Sequence, residues 1–161
     1  MTRYLRMVRQ ARWNRPKWIV GTTVAWQGDA LGDLSTTHNV LSVYLADTGE
    51  RVNQVVAALA ANRDNLANLD YVLIEGDLLS QLHLQTMQVS GETFHCSVNE
   101  LHYDIQDLTA AGVFALMKSI TAEDVVRVSR PNVKALLQHA IHDGHIDINR
   151  LSARLAQSLE S

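Results

Sequence analysis

Residues 93–105 contain four side chains of the types that acid–base or nucleophilic chemistry uses: Ser97, His102, His95 and Asp104. Apolar residues alternate on both sides of positions 99–100 but with opposite parity, which predicts two strands joined by a two-residue turn. In such a hairpin the serine faces His102, and the other histidine faces the aspartate. The four groups would share one sheet face, where they could form the nucleophile, base and orienting carboxylate of a small hydrolase, or a metal site.

The same stretch also has a purely structural interpretation. Its turn lacks the glycine that tight hairpins prefer, no G-x-S-x-G pattern flanks it, and polar cross-strand pairs are common on solvated faces. Ser97 and Glu100 also match a capping box, in which case a helix begins there. In the hairpin Cys96 points inward, so we expect it to be a small core residue.

A second chemical pattern is the arginine-rich beginning of the chain. Residues 1–28 contain six Arg or Lys and no acid, whereas the remainder has eight basic and seventeen acidic groups, a formal charge of −9. Residues 2–13 have the spacing of a short amphipathic helix that spreads its arginines over one face. We expect a partner-binding surface here, formed by Arg3, Arg6, Arg9, Arg12, Trp13, Arg15, Lys17 and Trp18.

Alanine at Arg6 and Arg9 is therefore expected to weaken partner binding without changing thermal stability. Two other interpretations stay open: solvated arginines beside tryptophans buried in the core, or nucleic-acid binding with a steep salt dependence. The apolar face is too small for a membrane-surface helix.

Histidines also recur near the end of the chain, where His139 and His142 are weak candidates for a metal site. They lie on the polar face of a predicted helix and are expected to be solvated, so no metal is predicted. No cofactor is predicted either, since both phosphate-binding glycine patterns are missing. A helix-turn-helix that uses a last helix at 148–159 is a further hypothesis.

The element around which the fold is predicted to form is residues 38–65. Residues 38–46 are a dense apolar run typical of an interior strand. Asp47 is then expected to cap a helix over 49–63, where valines and Leu59 form one stripe. Residues 69–76 indicate the next strand, so this region predicts a β-α-β unit with two parallel strands.

The rest of the chain completes an α+β or α/β fold with a mixed sheet of about five strands. Strands are predicted near 17–26, 38–46, 69–75, 83–89 and 93–105, and a second apolar helix over 109–120. That helix is expected to be buried on more than one side or in an oligomer interface. We expect one domain over 1–161, with a basic helix at 1–16, a core at 17–120 and a helical hairpin at 121–161.

Composition limits the classes of protein that remain. A chain of 161 residues with 47% hydrophobic and 19% charged residues suits one globular domain. It has no apolar run of 18 residues, and its single cysteine cannot form an internal disulfide, so a cytoplasmic protein is expected. We predict a small adaptor that binds a protein partner or itself and that is not an enzyme. The hydrolase and nucleic-acid hypotheses are its rivals.

Overall fold

The computed structural model describes residues 1–13, 18–20, 23–25 and 28–160. Within these residues the strands are β1 Arg3–Val8, β2 Trp18–Val20, β3 Thr23–Ala25, β4 Leu41–Leu45, β5 Leu69–Glu75, β6 Thr86–Gln88, β7 His102–Ile105 and β8 Val126–Val128. The α-helices are α1 Gln10–Trp13, α2 Gly28–Leu31, α3 Gly49–Ala61, α4 Gly76–Gln81, α5 Cys96–Asn99, α6 Ala110–Ser119, α7 Arg130–His142 and α8 Ala153–Glu160.

Six strands form one sheet in the order β6-β7-β4-β1-β5-β8. Every pairing in it is antiparallel, so the predicted mixed sheet is wrong and the α+β class is right. The region predicted as one strand at 17–26 is instead the separate pair β2 and β3.

The start of the chain is a strand inside the sheet, so the predicted basic N-terminal helix is wrong. β1 pairs with β5 along all of Arg3–Val8, while its other edge meets β4. Leu5 is fully buried on one face of the sheet, and Tyr4 and Val8 are buried on the other. Period-2 burial therefore overrides the helical spacing, since an interior strand buries both faces.

The predicted β-α-β unit exists, but its strands are not neighbours. β4 and β5 run in the same direction because each is antiparallel to β1, which lies between them. The connecting helix α3 is confirmed, although its cap is Thr48, whose Oγ1 accepts a hydrogen bond of 3.2 Å from the Arg51 amide. Asp47, the predicted cap, instead pairs with the Arg51 guanidinium at 2.7 Å.

Helices cover both faces of the sheet. Apolar side chains of α3, α7 and α8, among them Val56, Leu137 and Leu155, pack on one face in a single core. Trp13 and Leu116 belong to the core on the other face. α6 is capped by Thr109, but it buries one side only, and Phe114 remains 42% exposed.

The C-terminal third is more than the predicted helical hairpin. It begins with β8, which extends the sheet beside β5. α7 follows as predicted, with Ser129 accepting from the Asn132 amide at 3.4 Å. The predicted last helix is divided into the 3-10 turn Ile148–Arg150 and α8.

Candidate binding cleft

The predicted polar cluster of residues 93–105 is divided into two pairs. The hairpin is wrong because residues 96–99 form the single turn α5 and only residues 102–105 form a strand. A long helix from Ser97 is wrong as well. Ser97 Oγ lies 3.1 Å from His95 Nδ1, whereas His102 Nε2 lies 3.9 Å from Asp104 Oδ1.

A serine that the sequence did not indicate, Ser42, lies next to the His102–Asp104 pair. Ser42 on β4 is opposite Asp104 on β7, and its hydroxyl donates to Asp104 Oδ1 at 3.1 Å. The hydroxyl proton is thus held by the carboxylate and not by the imidazole. The contact between nucleophile and base that covalent catalysis requires is therefore not formed here.

Cys96, His139 and His142 all lie at the surface of the protein. The thiol is exposed, so the predicted core position is wrong. His139 is 74% exposed and pairs with Asp143 at 3.3 Å, and His142 is exposed. Within the part of the chain that is described, no three His, Cys, Asp or Glu side chains are arranged to hold a metal ion.

The N-terminal arginines line an open cleft of about 800 Å³, which we call the arginine cleft. Its charged residues come from three separate parts of the chain. They are Arg6, Arg9, Arg12, Asp33, Arg63, Asp64 and Asp70, joined by the amide side chains of Asn62, Asn65 and Asn68.

Arg6 stabilises one wall of this cleft through hydrogen bonds to two backbone carbonyls. Pairing between β1 and β4 stops after Leu5, and the Arg6 guanidinium donates to the Asp33 and Ser42 carbonyls at 2.9 Å each. Burial lowers the pKa of Arg6, while the charge of Asp33 opposes that shift. Arg6 therefore connects the diverging strands, and an alanine here is expected to cost stability.

Asp33 fixes the arrangement of the next three predicted residues. It is only 6% exposed, and its carboxylate accepts from the Arg9 amide at 2.9 Å and from Arg12 Nη1 at 2.7 Å. It also accepts from Trp13 Nε1 at 2.9 Å, which confirms a core position for this fully buried tryptophan.

Asp70 supports the same segment from β5. It accepts from the Gln10 amide at 2.8 Å and forms two hydrogen bonds with Arg127, of 2.7 and 3.0 Å. Asp33 and Asp70 thus hold two consecutive amides, those of Arg9 and Gln10, at the start of α1. Charge-assisted bonds of this kind are short and directional, so they determine where the Arg9 side chain leaves the backbone.

Arg9 and Arg63 remain as positive charges at the mouth of the cleft. Arg9 is exposed, and Arg63 donates to the Asn68 carbonyl at 2.9 Å. Among the described residues no carboxylate lies within 4.0 Å of either guanidinium. The undescribed segments at 14–17, 21–22 and 26–27 contain no acid.

The two arginines are close enough to influence each other. Burial lowers the pKa of Arg63, Asp70 opposes this effect, and the charge of Arg9 lowers the pKa further. An anion placed between them would relieve that repulsion. This part of the cleft is therefore suited to a carboxylate or a phosphate.

The other predicted partner-binding residues are not part of this geometry. Arg3 donates to the Asp47 carbonyl at 3.3 Å at the opposite end of β1. Arg15 and Lys17 lie outside the described residues, and Trp18 is described only as the first backbone position of β2.

Comparisons of the chain with models of protein families, with curated proteins and with solved structures found no match. None of the helices in the described ranges is long and apolar enough to cross a membrane.

Proposed function

We propose that the protein is a small adaptor that binds an acidic segment of a protein partner in the arginine cleft. The observation that carries this proposal is that Arg9 and Arg63 line the same cleft and that neither has a carboxylate within 4.0 Å among the described residues. Their neighbours are already engaged: Arg12 with Asp33, and Arg127 with Asp70. An arginine guanidinium can form two parallel hydrogen bonds with one carboxylate, which supplies both affinity and orientation.

An acidic protein segment suits the cleft better than a nucleic acid does. Three aspartates, Asp33, Asp64 and Asp70, line the same cleft and would repel a continuous phosphate backbone. The chain beyond residue 28 is also acidic, with eight basic and seventeen acidic groups. A partner with a few carboxylates placed at Arg9 and Arg63 avoids most of that repulsion.

Self-association is a second part of the proposal, on a different surface. Phe114 is 42% exposed on α6, with the Lys118 ammonium 4.7 Å from its ring centre, and Leu31 of α2 is 41% exposed. Exposed aromatic and aliphatic side chains of this size are common in the centre of interfaces. The hydrolase hypothesis receives less support, because Ser42 donates to Asp104 and Ser97 contacts a different histidine.

The proposal can be tested by titrating isotope-labelled protein with two probes of equal net charge, a glutamate-rich peptide and a single-stranded DNA. We expect the peptide to shift the backbone amides of Arg9, Arg63 and Asn68. The double variant Arg9→Ala/Arg63→Ala should bind the peptide about tenfold more weakly, which corresponds to about 1.4 kcal/mol.

A matched control removes the same amount of charge elsewhere. Lys134 and Arg154 do not line the arginine cleft. The double variant Lys134→Ala/Arg154→Ala should bind the peptide as the wild type does. Equal weakening in both double variants would mean that only net charge matters, and tighter binding of the DNA would favour the nucleic-acid hypothesis.

A further inference from the structure

The contact between His95 and His145 joins two distant parts of the chain. His95 precedes α5 and is 1% exposed, while His145 lies in the connection between α7 and the 3-10 turn Ile148–Arg150. Their rings are stacked, with centres 4.9 Å apart and planes inclined by 18°. His145 is itself exposed, so it covers His95 with one face while the rest of the side chain meets solvent.

The hydrogen bonds of His95 suit a neutral ring and not a charged one. Nδ1 lies 3.1 Å from the Ser97 hydroxyl, and Nε2 is buried with no partner among the described residues. A protonated imidazole must donate from both nitrogens. The charged ring would therefore place an N–H group where the described chain offers no acceptor, at a buried position where charge is costly.

Charged and titratable side chains of the surrounding elements face the two histidines. A small cavity of about 160 Å³ is lined by both histidines, by Glu50, Asn53 and Gln54 of α3, and by His139 and Asp143 of the α7 end. Glu50 accepts from Gln54, and Asp143 lies 3.3 Å from His139, so both carboxylates already have partners. Arg150 adds a further positive charge nearby, above the Phe94 ring at 4.8 Å.

The stacked geometry also determines whether the two histidines could bind a metal ion. Nearly parallel rings do not aim their nitrogens at a common point, so the pair is not arranged to bind one metal ion. Burial, and then the charge of His145, lower the pKa of His95 below its ordinary value of 6.5. The neutral form of His95 is thus favoured in the folded protein, and its stabilising effect is complete above about pH 6.5 and is lost as the pH falls below that value.

We propose that the His95–His145 stack is a pH-sensitive latch that holds the connection at residues 143–147 against residues 94–98 and opens locally on acidification. The latch is independent of the arginine cleft, whose lining includes neither histidine. Opening exposes the cavity between α3 and α7. We expect the sheet and these helices to stay folded, since α3, α7 and α8 share an apolar core with the sheet.

The test follows imidazole and backbone amide signals of the intact protein by NMR from about pH 7.5 to 5. We expect His95 to titrate with a midpoint below 6.5, its ordinary value. The amides of Val98, Gly144 and Ile146 should shift with the same midpoint, whereas those of β1 and β5 should not.

Three variants make the outcome decisive. His95→Gln removes the titrating ring and should abolish the common transition, and His142→Gln, at an exposed position, should leave it unchanged. If His95→Gln does not fold, His145→Phe keeps a ring over His95 without its charge and should reduce the amplitude of opening. The proposal is overturned if His95 titrates without the amides, or if the amides titrate alike in wild type and His145→Phe.

Discussion

The Arg12 guanidinium lies 2.7 Å from the Asp33 carboxylate, which also accepts the Trp13 indole N–H and the Arg9 amide. The buried Asp33 carboxylate thus accepts hydrogen bonds from three groups of the N-terminal segment. Because Asp33 is 6% exposed, these groups lose their partner in an almost dry site when the charge is removed. This relationship links the stability of the fold to the shape of the arginine cleft.

Replacing this carboxylate is expected to be costly. Asp33→Asn should lower the free energy of unfolding by about 3 kcal/mol, because a buried ion pair is broken and its arginine is left unpaired. Denaturant unfolding followed by tryptophan fluorescence measures this change. Asp29→Asn, at an exposed position of α2, is the control and should unfold as the wild type does. Equal stability of the two variants would contradict the role given to Asp33.

Arg9 and Arg12 should differ in their effect on stability. Arg9→Ala is expected to change stability by less than about 0.5 kcal/mol, since its guanidinium is at the surface. Arg12→Ala should cost more, because it removes the only ion-pair partner found for Asp33 in the described chain. Thermal unfolding of both variants checks this order. A larger loss of stability in Arg9→Ala than in Arg12→Ala would contradict the surface position given to the Arg9 guanidinium.

Acid sensitivity should depend on the Asp70–Arg127 pair. Burial would raise the pKa of Asp70, but the hydrogen bonds from Arg127 and the Gln10 amide outweigh it and lower the pKa below 3.8. A lowered carboxyl pKa contributes stability above the unfolded-state value, and this contribution is lost as the pH falls through the folded-state value. Arg127→Ala removes a hydrogen bond and a charge that lower the pKa of Asp70. The pKa of Asp70 should therefore be higher in this variant, and acid destabilisation should begin at a higher pH.

The measurement for that pair is urea unfolding at a series of pH values for wild type, Arg127→Ala and the exposed control Arg154→Ala. Wild type and control should give superimposable profiles. An Arg127→Ala profile that matches them would show that the pair does not affect acid stability.

Thiol chemistry offers an independent check of the 93–105 region. Cys96 is exposed at the start of α5, so it should react fully with a thiol reagent in the folded protein. A buried thiol, as the predicted hairpin required, would react only after unfolding. Comparing the labelled fraction with and without denaturant distinguishes the two arrangements.

Elements with strong local signals could be predicted from the sequence, and those that depend on distant partners could not. α3 and α7 have regular apolar stripes and good caps, and both were correctly placed. β1 has a spacing compatible with a helix, and its burial between β4 and β5 decides the outcome. In residues 93–105, alternation alone cannot show that Asn99 Oδ1 accepts from the Thr93 amide at 2.7 Å and from its hydroxyl at 2.8 Å, which stabilises a compact loop.

The candidate site was only partly predictable for the same reason. Arg9 and Arg12 were selected from charge and spacing, but Arg63 and Asp70 enter the cleft through the α3–β5 connection and the sheet order. No local pattern marks these two residues as neighbours of the N-terminus. Likewise Ser42 joins His102 and Asp104 only because β4 pairs with β7.

The most direct test of the central claim is a capture experiment from lysate of cells that naturally produce the protein, carried out with and without nuclease treatment. Three tagged forms are compared: wild type, Arg9→Ala/Arg63→Ala, and Lys134→Ala/Arg154→Ala. We predict a protein that is recovered equally by wild type and by the second double variant, that has an acidic segment, and that is lost from Arg9→Ala/Arg63→Ala. Equal recovery by all three forms, or recovery that disappears with nuclease, would contradict an adaptor that holds its partner in the arginine cleft.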